Sequence, residues 1–124
     1  MATRLTEKQE VSACHVAELV YSGRLTKAAG VAKLSAEDGM NESTAAIFIA
    51  IYKSLREGKE FRRTTSAAAM RHLVRSIESG HGPAARDRAL AALRAHIKYF
   101  EQQYEATMAS MRGVLAELES SRDL

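Results

Sequence analysis

The residues best suited to chemistry lie in the stretch GKEFRRTTSAAAMRHLVRSI, which runs from Gly58 to Ile77. It places two adjacent arginines before three hydroxyl side chains. A guanidinium group binds phosphate or guanine through two parallel hydrogen bonds, and hydroxyls can add phosphate contacts. A helix beginning here would also direct free N–H groups at that phosphate. We therefore expect a DNA-binding surface made of Lys59, Arg62, Arg63, Thr64, Thr65, Arg71 and Arg75. The alternative is a solvated loop that precedes a capped helix.

A second stretch, KAAGVAKLSAEDGMNESTAAIFIAIYKSL, resembles a helix-turn-helix unit. Two helical segments are separated by a short turn that contains Gly39, and a recognition helix contacts base edges through its first residues. Asn41 and Ser43 would occupy that position, so we expect them to approach DNA. Alternatively, both residues simply cap the second helix.

Catalysis is not expected from this sequence. The four histidines (His15, His72, His81 and His96) lack metal-binding spacing, and Cys14 is the single cysteine. The glycines occur singly, so no glycine-rich phosphate loop is present. We predict a non-enzymatic protein without metal or cofactor, with His96 in the interior or at its boundary and Cys14 buried.

Charge is distributed unevenly along the chain, whose net charge is +3. Residues 53–75 hold seven Lys or Arg and two Glu, whereas residues 101–124 hold five acidic and two basic side chains. A basic cluster of this kind is typical of a polyanion-binding surface, although many such clusters are only solvated faces.

Composition and periodicity predict an all-α fold with about four short helices and one long C-terminal helix. The sequence has 124 residues, one proline and many alanines, with a 3.6-residue apolar period. We predict helices from Thr6 to Gly23, over 25–35, from about Asn41 to Glu57, and from Thr65 or Ser66 to the SGHGP segment. The predicted core is Ala13, Val16, Ala17, Val20, Leu25, Ala28, Val31, Leu34, Ile47, Phe48, Ile51, Tyr52, Leu55, Met70, Leu73, Val74 and Ile77.

The last helix is predicted to begin at Pro83 and to continue for 30 residues or more. Its apolar residues follow steps of three and four, with an extra step of four between Tyr104 and Met108. We expect residues 1–100 to form a DNA-binding domain and residues 101–124 to extend the helix as an acidic, amphipathic segment. This segment would dimerise or bind a protein partner through Tyr104, Met108, Met111, Leu115 and Leu118. Alternatively, it folds back over the first helix or frays after Gly113.

Location in a reducing cytoplasm is expected, because one cysteine cannot form an internal disulfide. The polar start MATRLTEKQE predicts no signal peptide, and no apolar run is long enough to predict a membrane span.

Residues 37–101 resemble the helical domain that precedes an HNH nuclease domain in McrA-like, modification-dependent restriction endonucleases. The shared pattern begins with GMN and a following Ser-Thr-Ala, continues through GKEFRRT and a helix ending in LVRSI, and closes with ALAALRAHIKYFE. The matching positions are Gly39, Met40, Asn41, Ser43–Ala45, Gly58, Lys59, Phe61, Arg63, Thr64, Leu73, Ile77, Ala89, Leu90, Ala92, Leu93, His96, Ile97, Tyr99, Phe100 and Glu101.

This resemblance implies a DNA-binding module that senses modified DNA in a defence setting, with Lys59, Arg63 and Thr64 as contacts. Two departures bear on it. Arg71 and His72 stand where relatives often carry aromatic residues, and the chain continues as an acidic helix rather than a nuclease domain, so cleavage does not carry over. The other reading of the whole sequence is a small interaction protein, from a defence or phage setting, that binds a protein partner through its C-terminal helix.

Overall fold

The computed structural model describes residues 5–120, and this part of the chain contains six α-helices and no strand. The all-α prediction is therefore confirmed. In chain order the helices are α1 (Glu7–Tyr21), α2 (Lys27–Asp38), α3 (Glu42–Glu57), α4 (Ala67–His81), α5 (Pro83–Tyr104) and α6 (Ala109–Ser120).

The helices begin where the sequence provides capping groups. The Thr6 Oγ1 atom accepts from the Gln9 N–H at 3.1 Å while the Gln9 side chain accepts from the Thr6 N–H at 2.9 Å, which is a capping box. Ser66 caps α4 by accepting from the Ala69 N–H at 3.1 Å. Pro83 occupies the first turn of α5, where its missing N–H has no helical partner to lose.

Two compact units divide the chain after Lys53, a point within α3. In the first unit α1 packs on α2, and the Tyr52 hydroxyl on α3 donates a hydrogen bond to Glu18 on α1. The ring of Tyr52 also meets that of Tyr21 edge-on, with 6.2 Å between centroids. Of the predicted core in this unit, Ala28 is exposed and the remaining positions are buried or half-buried.

The second unit contains α4, α5 and α6, each of which contacts the other two. The predicted face of α4 is fully buried: Met70, Leu73, Val74 and Ile77. The α5 helix packs on α4 and α6, and it buries both small and large residues, of which the small ones allow close approach of a neighbouring helix: Ala85, Arg86, Ala89, Leu90, Ala92, Leu93, His96 and Ile97.

The prediction of one long C-terminal helix is wrong. The α5 helix ends at Tyr104, Glu105 adopts a left-handed conformation with φ 49°, and α6 folds back against α4 and α5. The Glu101 carboxylate holds this turn, since it accepts from the Met108 N–H at 2.8 Å and pairs with Arg112. The extra four-residue step before Met108 therefore marks a corner. The alternative of a folded-back segment is closer to the structure, in which α6 packs on α4 and α5.

No helix in residues 5–120 combines the length and the apolar character that a membrane crossing requires.

Candidate nucleic-acid interface

The basic loop, defined here as residues 58–66, connects α3 to α4. Gly58 ends α3 with φ 70°, and the next N–H, that of Lys59, donates to the Ser54 carbonyl at 3.0 Å. This is the pattern of a helix that ends at a left-handed glycine. Gly58 thus sets the direction in which the basic loop leaves the helix.

Phe61 and His96 anchor the basic loop to α5. Phe61 is buried, and its ring stacks on the His96 imidazole with 4.1 Å between centroids and 12° between planes. The His96 Nδ1 atom lies 2.7 Å from the Phe61 carbonyl oxygen, and its Nε2 atom lies 3.1 Å from the Thr64 hydroxyl. A carbonyl only accepts, so Nδ1 carries the proton and Nε2 of the neutral ring accepts from Thr64.

Burial keeps the His96 ring neutral. Removal from water lowers the pKa of His96, and this outweighs the hydrogen bond to the Phe61 carbonyl and the charge of Glu60, which both raise it. The interior position predicted for His96 is confirmed, since the residue is fully buried. Sequence reasoning missed its pairing with the loop. The available signal was the single aromatic residue, Phe61, within an otherwise polar run.

Three cations of the basic loop face solvent. Lys59 is 73% exposed and lies 3.6 Å from a Glu57 oxygen, a long and weak pairing. The Arg62 guanidinium lies over the Tyr99 ring at 5.1 Å, which orients it without neutralising its charge. Arg63 is exposed and is within ion-pair distance of no acidic side chain in residues 5–120. The predicted loop cations are thus accessible to an anion.

Two of the three hydroxyls of the basic loop have partners within the chain, although Thr64 itself is exposed. The Thr64 hydroxyl is directed at His96, and Ser66 caps α4. Thr65 is half-buried. Their predicted role as phosphate contacts remains a prediction, and two of the three have another function in the folded chain.

Arg71 and Arg75 are already paired with an acidic side chain. One oxygen of Glu117 on α6 accepts from Arg71 Nε at 2.9 Å and from an Arg75 terminal nitrogen at 2.7 Å. The sequence predicted both arginines as an extension of the basic surface. It missed Glu117 because the predicted straight helix carried that residue away from α4.

Asn41 and Ser43 lie in the first unit, at the start of α3. The Asn41 side-chain oxygen accepts from the N–H groups of Ser43 and Thr44, at 2.8 and 3.3 Å. The turn between α2 and α3 passes through Gly39 in the left-handed conformation, with φ 66°. The capping role of Asn41 is therefore confirmed, and a DNA contact by Asn41 or Ser43 stays a prediction.

The predicted partner seam does not form one exposed face. Met111 and Leu118 are buried within the chain, Tyr104 is 61% exposed, and Met108 and Leu115 are half-buried. The cause is the corner at Glu105, which turns α6 back so that its apolar face covers its own unit. Leu115 lines a groove of about 550 Å³ between α5 and α6, where Arg94 pairs with Glu119 and Arg112 pairs with Glu101.

No group of three or more metal-binding side chains is found within residues 5–120. Comparisons with protein-family models, curated proteins and solved structures found no match to this chain.

Proposed function

We propose that this chain is a non-catalytic DNA-binding module that contacts the phosphate backbone of a duplex through the basic loop. The proposal rests on one observation about the basic loop: its cations are accessible, and the loop that carries them is attached to the buried part of α5. Lys59, Arg62 and Arg63 are exposed, while Phe61 between them is fixed to the buried His96. Cations held on a rigid support lose less conformational entropy on binding than cations on a mobile loop.

Phosphate contacts of this kind supply affinity without sequence preference. Specificity would come from base contacts. Arg63 is the best candidate in the loop because its planar fork matches guanine and the residue is exposed. Asn41 and Ser43 of the helix-turn-helix-like segment are the second candidates.

The resemblance to McrA-like endonucleases supports modified DNA as the target class and a restriction or defence setting in the cytoplasm. The test is fluorescence anisotropy with a labelled duplex in unmodified and cytosine-methylated forms. Tighter binding of the methylated duplex would support a modification sensor, and equal binding would limit the proposal to backbone recognition.

The decisive variant is Arg62→Ala with Arg63→Ala, which should weaken duplex binding by about tenfold or more, since each phosphate contact carries a share of the counterion-release free energy. The matched control is Arg24→Ala with Lys27→Ala, which removes the same charge from exposed positions of the first unit. Equal losses in both double variants would mean that net charge, and not the basic loop, governs binding.

A protein partner bound by the C-terminal helix is the other function considered from the sequence, and burial of Met111 and Leu118 makes it the weaker one. The same burial weakens the proposal of a homodimer through that helix, which would first have to release α6 from its own chain.

A further inference from the structure

The strongest feature outside the basic loop is the contact between two arginines of α4 and one glutamate of α6. Arg71 and Arg75 stand one helical turn apart, so their side chains leave the same face of α4. Both donate to a single oxygen, Oε2 of Glu117. Two guanidinium groups that converge on one anionic oxygen are the arrangement that also binds a phosphate oxygen.

The contact is open to solvent. The side chains of Arg71, Arg75 and Glu117 are 37%, 56% and 41% exposed. Ion pairs with this exposure contribute little to stability, so a competing anion can replace the carboxylate at small cost. The packing of α6 does not depend on Glu117, because the helix is held by its buried residues Met111, Val114 and Leu118.

Arg71 and Arg75 lie on the helix that directly follows the basic loop. The α4 helix begins at Ala67, directly after the loop, and Arg71 lies in its second turn. A phosphate chain bound at the start of α4 would therefore meet this arginine pair next along the helix.

We infer that Arg71 and Arg75 form a phosphate-binding subsite that the Glu117 carboxylate occupies in the free protein, so that α6 competes internally with DNA. This inference rests on the proposed function for its ligand. It gives an acidic residue of α6 a role, since Glu117 admits only phosphates that can displace its carboxylate from Arg71 and Arg75.

Glu117→Gln tests the inference, because it removes the competing charge and keeps the shape of the side chain. Duplex affinity should rise severalfold. The slope of log affinity against log salt should also become steeper by about one to two, because the freed arginines neutralise one or two further phosphates and each releases its condensed counterion from the DNA.

The matched control is Glu119→Gln, which makes the same charge change on the same helix and frees Arg94 instead. It should change affinity less than half as much as Glu117→Gln. Equal gains in both variants would overturn the inference, since general repulsion between α6 and DNA would then account for the effect.

A second readout separates this inference from the proposed function. Inorganic pyrophosphate is titrated into the parent and the Glu117→Gln variant while NMR follows the Arg71 Nε–H signal. A shift that occurs at lower pyrophosphate concentration in the variant supports the subsite. If neither protein binds duplex but this shift appears, the DNA proposal fails and the anion subsite stands. An Arg71 signal that is unmoved in the variant overturns the subsite whatever the duplex does.

Discussion

At the scale of single residues, His96 determines whether the basic loop keeps its position. It is fully buried, stacks on Phe61 and bonds both to that residue's carbonyl and to Thr64. A protonated ring would lose the acceptor for the Thr64 hydroxyl and would place a charge among apolar neighbours. The arrangement of the loop is therefore linked to the neutral form of one imidazole.

This linkage predicts a pH dependence of folding stability. Burial lowers the pKa of His96 in the folded chain, so the unfolded chain takes up the proton first as the pH falls. The stabilising contribution is complete above the ordinary value of 6.5 and is lost as the pH falls through the lowered folded-state pKa. Urea unfolding followed by circular dichroism at pH 7.5, 6.5 and 5.5 measures it.

His96→Gln should flatten that part of the pH profile and should also lower the free energy of unfolding at pH 7.5 by about 1–3 kcal/mol, because a buried carbonyl loses its donor. His15→Gln is the matched control, since His15 is exposed on α1. A profile that is flattened equally by His15→Gln would contradict the role assigned to His96.

Thr64 allows an anchoring role to be separated from a DNA contact. Thr64→Val removes the hydroxyl that His96 Nε2 accepts from, and should destabilise the fold by about 0.5–1.5 kcal/mol. Thr64→Ser keeps the hydroxyl and should retain most of the stability. If Thr64→Val is as stable as the parent but binds duplex weakly, while Thr64→Ser binds duplex normally, the hydroxyl is a phosphate contact and not an anchor.

At the scale of elements, the turn between α5 and α6 depends on the Glu101 carboxylate. Hydrogen bonds from Arg112 and from the Met108 N–H lower the pKa of Glu101 to about 2. The stability that these bonds provide is present above the ordinary value of 4.5 and is lost as the pH falls towards 2.

Glu101→Gln should therefore lower Tm at pH 7, and the difference from the parent should shrink between pH 4.5 and 2. Calorimetry at pH 7, 4 and 2.5 follows this difference. Glu105→Gln changes a neighbouring exposed carboxylate and serves as the control. A Tm difference that stays constant across this range would show that the charge of Glu101 does not hold the turn.

Two glycines within helices should respond in opposite directions to alanine. A Cβ atom at Gly30 would lie 2.8 Å from Val20 Cγ2 and 3.1 Å from Val16 Cγ1, whereas nothing lies within 4 Å at Gly113. Valine cannot move aside easily because its branched side chain has one strongly preferred rotamer in a helix.

Gly30→Ala should thus cost about 1–3 kcal/mol through overpacking. Gly113→Ala should stabilise α6 by about 0.5–1 kcal/mol, because alanine is the better helix former. Both values come from urea unfolding curves of the single variants. If Gly30→Ala stabilised the chain instead, the space between α1 and α2 at this glycine would have to be larger than the structure shows.

At the scale of the whole molecule, the sequence was sufficient to predict helix caps and apolar stripes. It was not sufficient to predict contacts between helices that lie far apart in the sequence. Thr6 with Gln9, Asn41 and Ser66 were recognisable as caps, because a cap depends only on residues within one turn. The stripes of α3 and α4 were likewise predicted from the 3.6-residue period.

The direction of α6 could not be predicted in the same way. A helical period looks the same on both sides of a corner, and the corner depends on Glu101 bonding to residues seven and eleven positions later. Once α6 is folded back, Glu117 meets Arg71 and Arg75. The sequence therefore indicated the exposed cations of the loop, and it gave no indication of which α4 cations are internally paired.

The central claim is that the basic loop binds the phosphates of a duplex, and the salt dependence of binding tests it most directly. Anisotropy titrations at several salt concentrations give the slope of log affinity against log salt for the parent and for Arg62→Ala with Arg63→Ala. Removal of two phosphate contacts should reduce the magnitude of that slope by about 1.8. An unchanged slope, or no duplex binding by the parent at low salt, would contradict the claim.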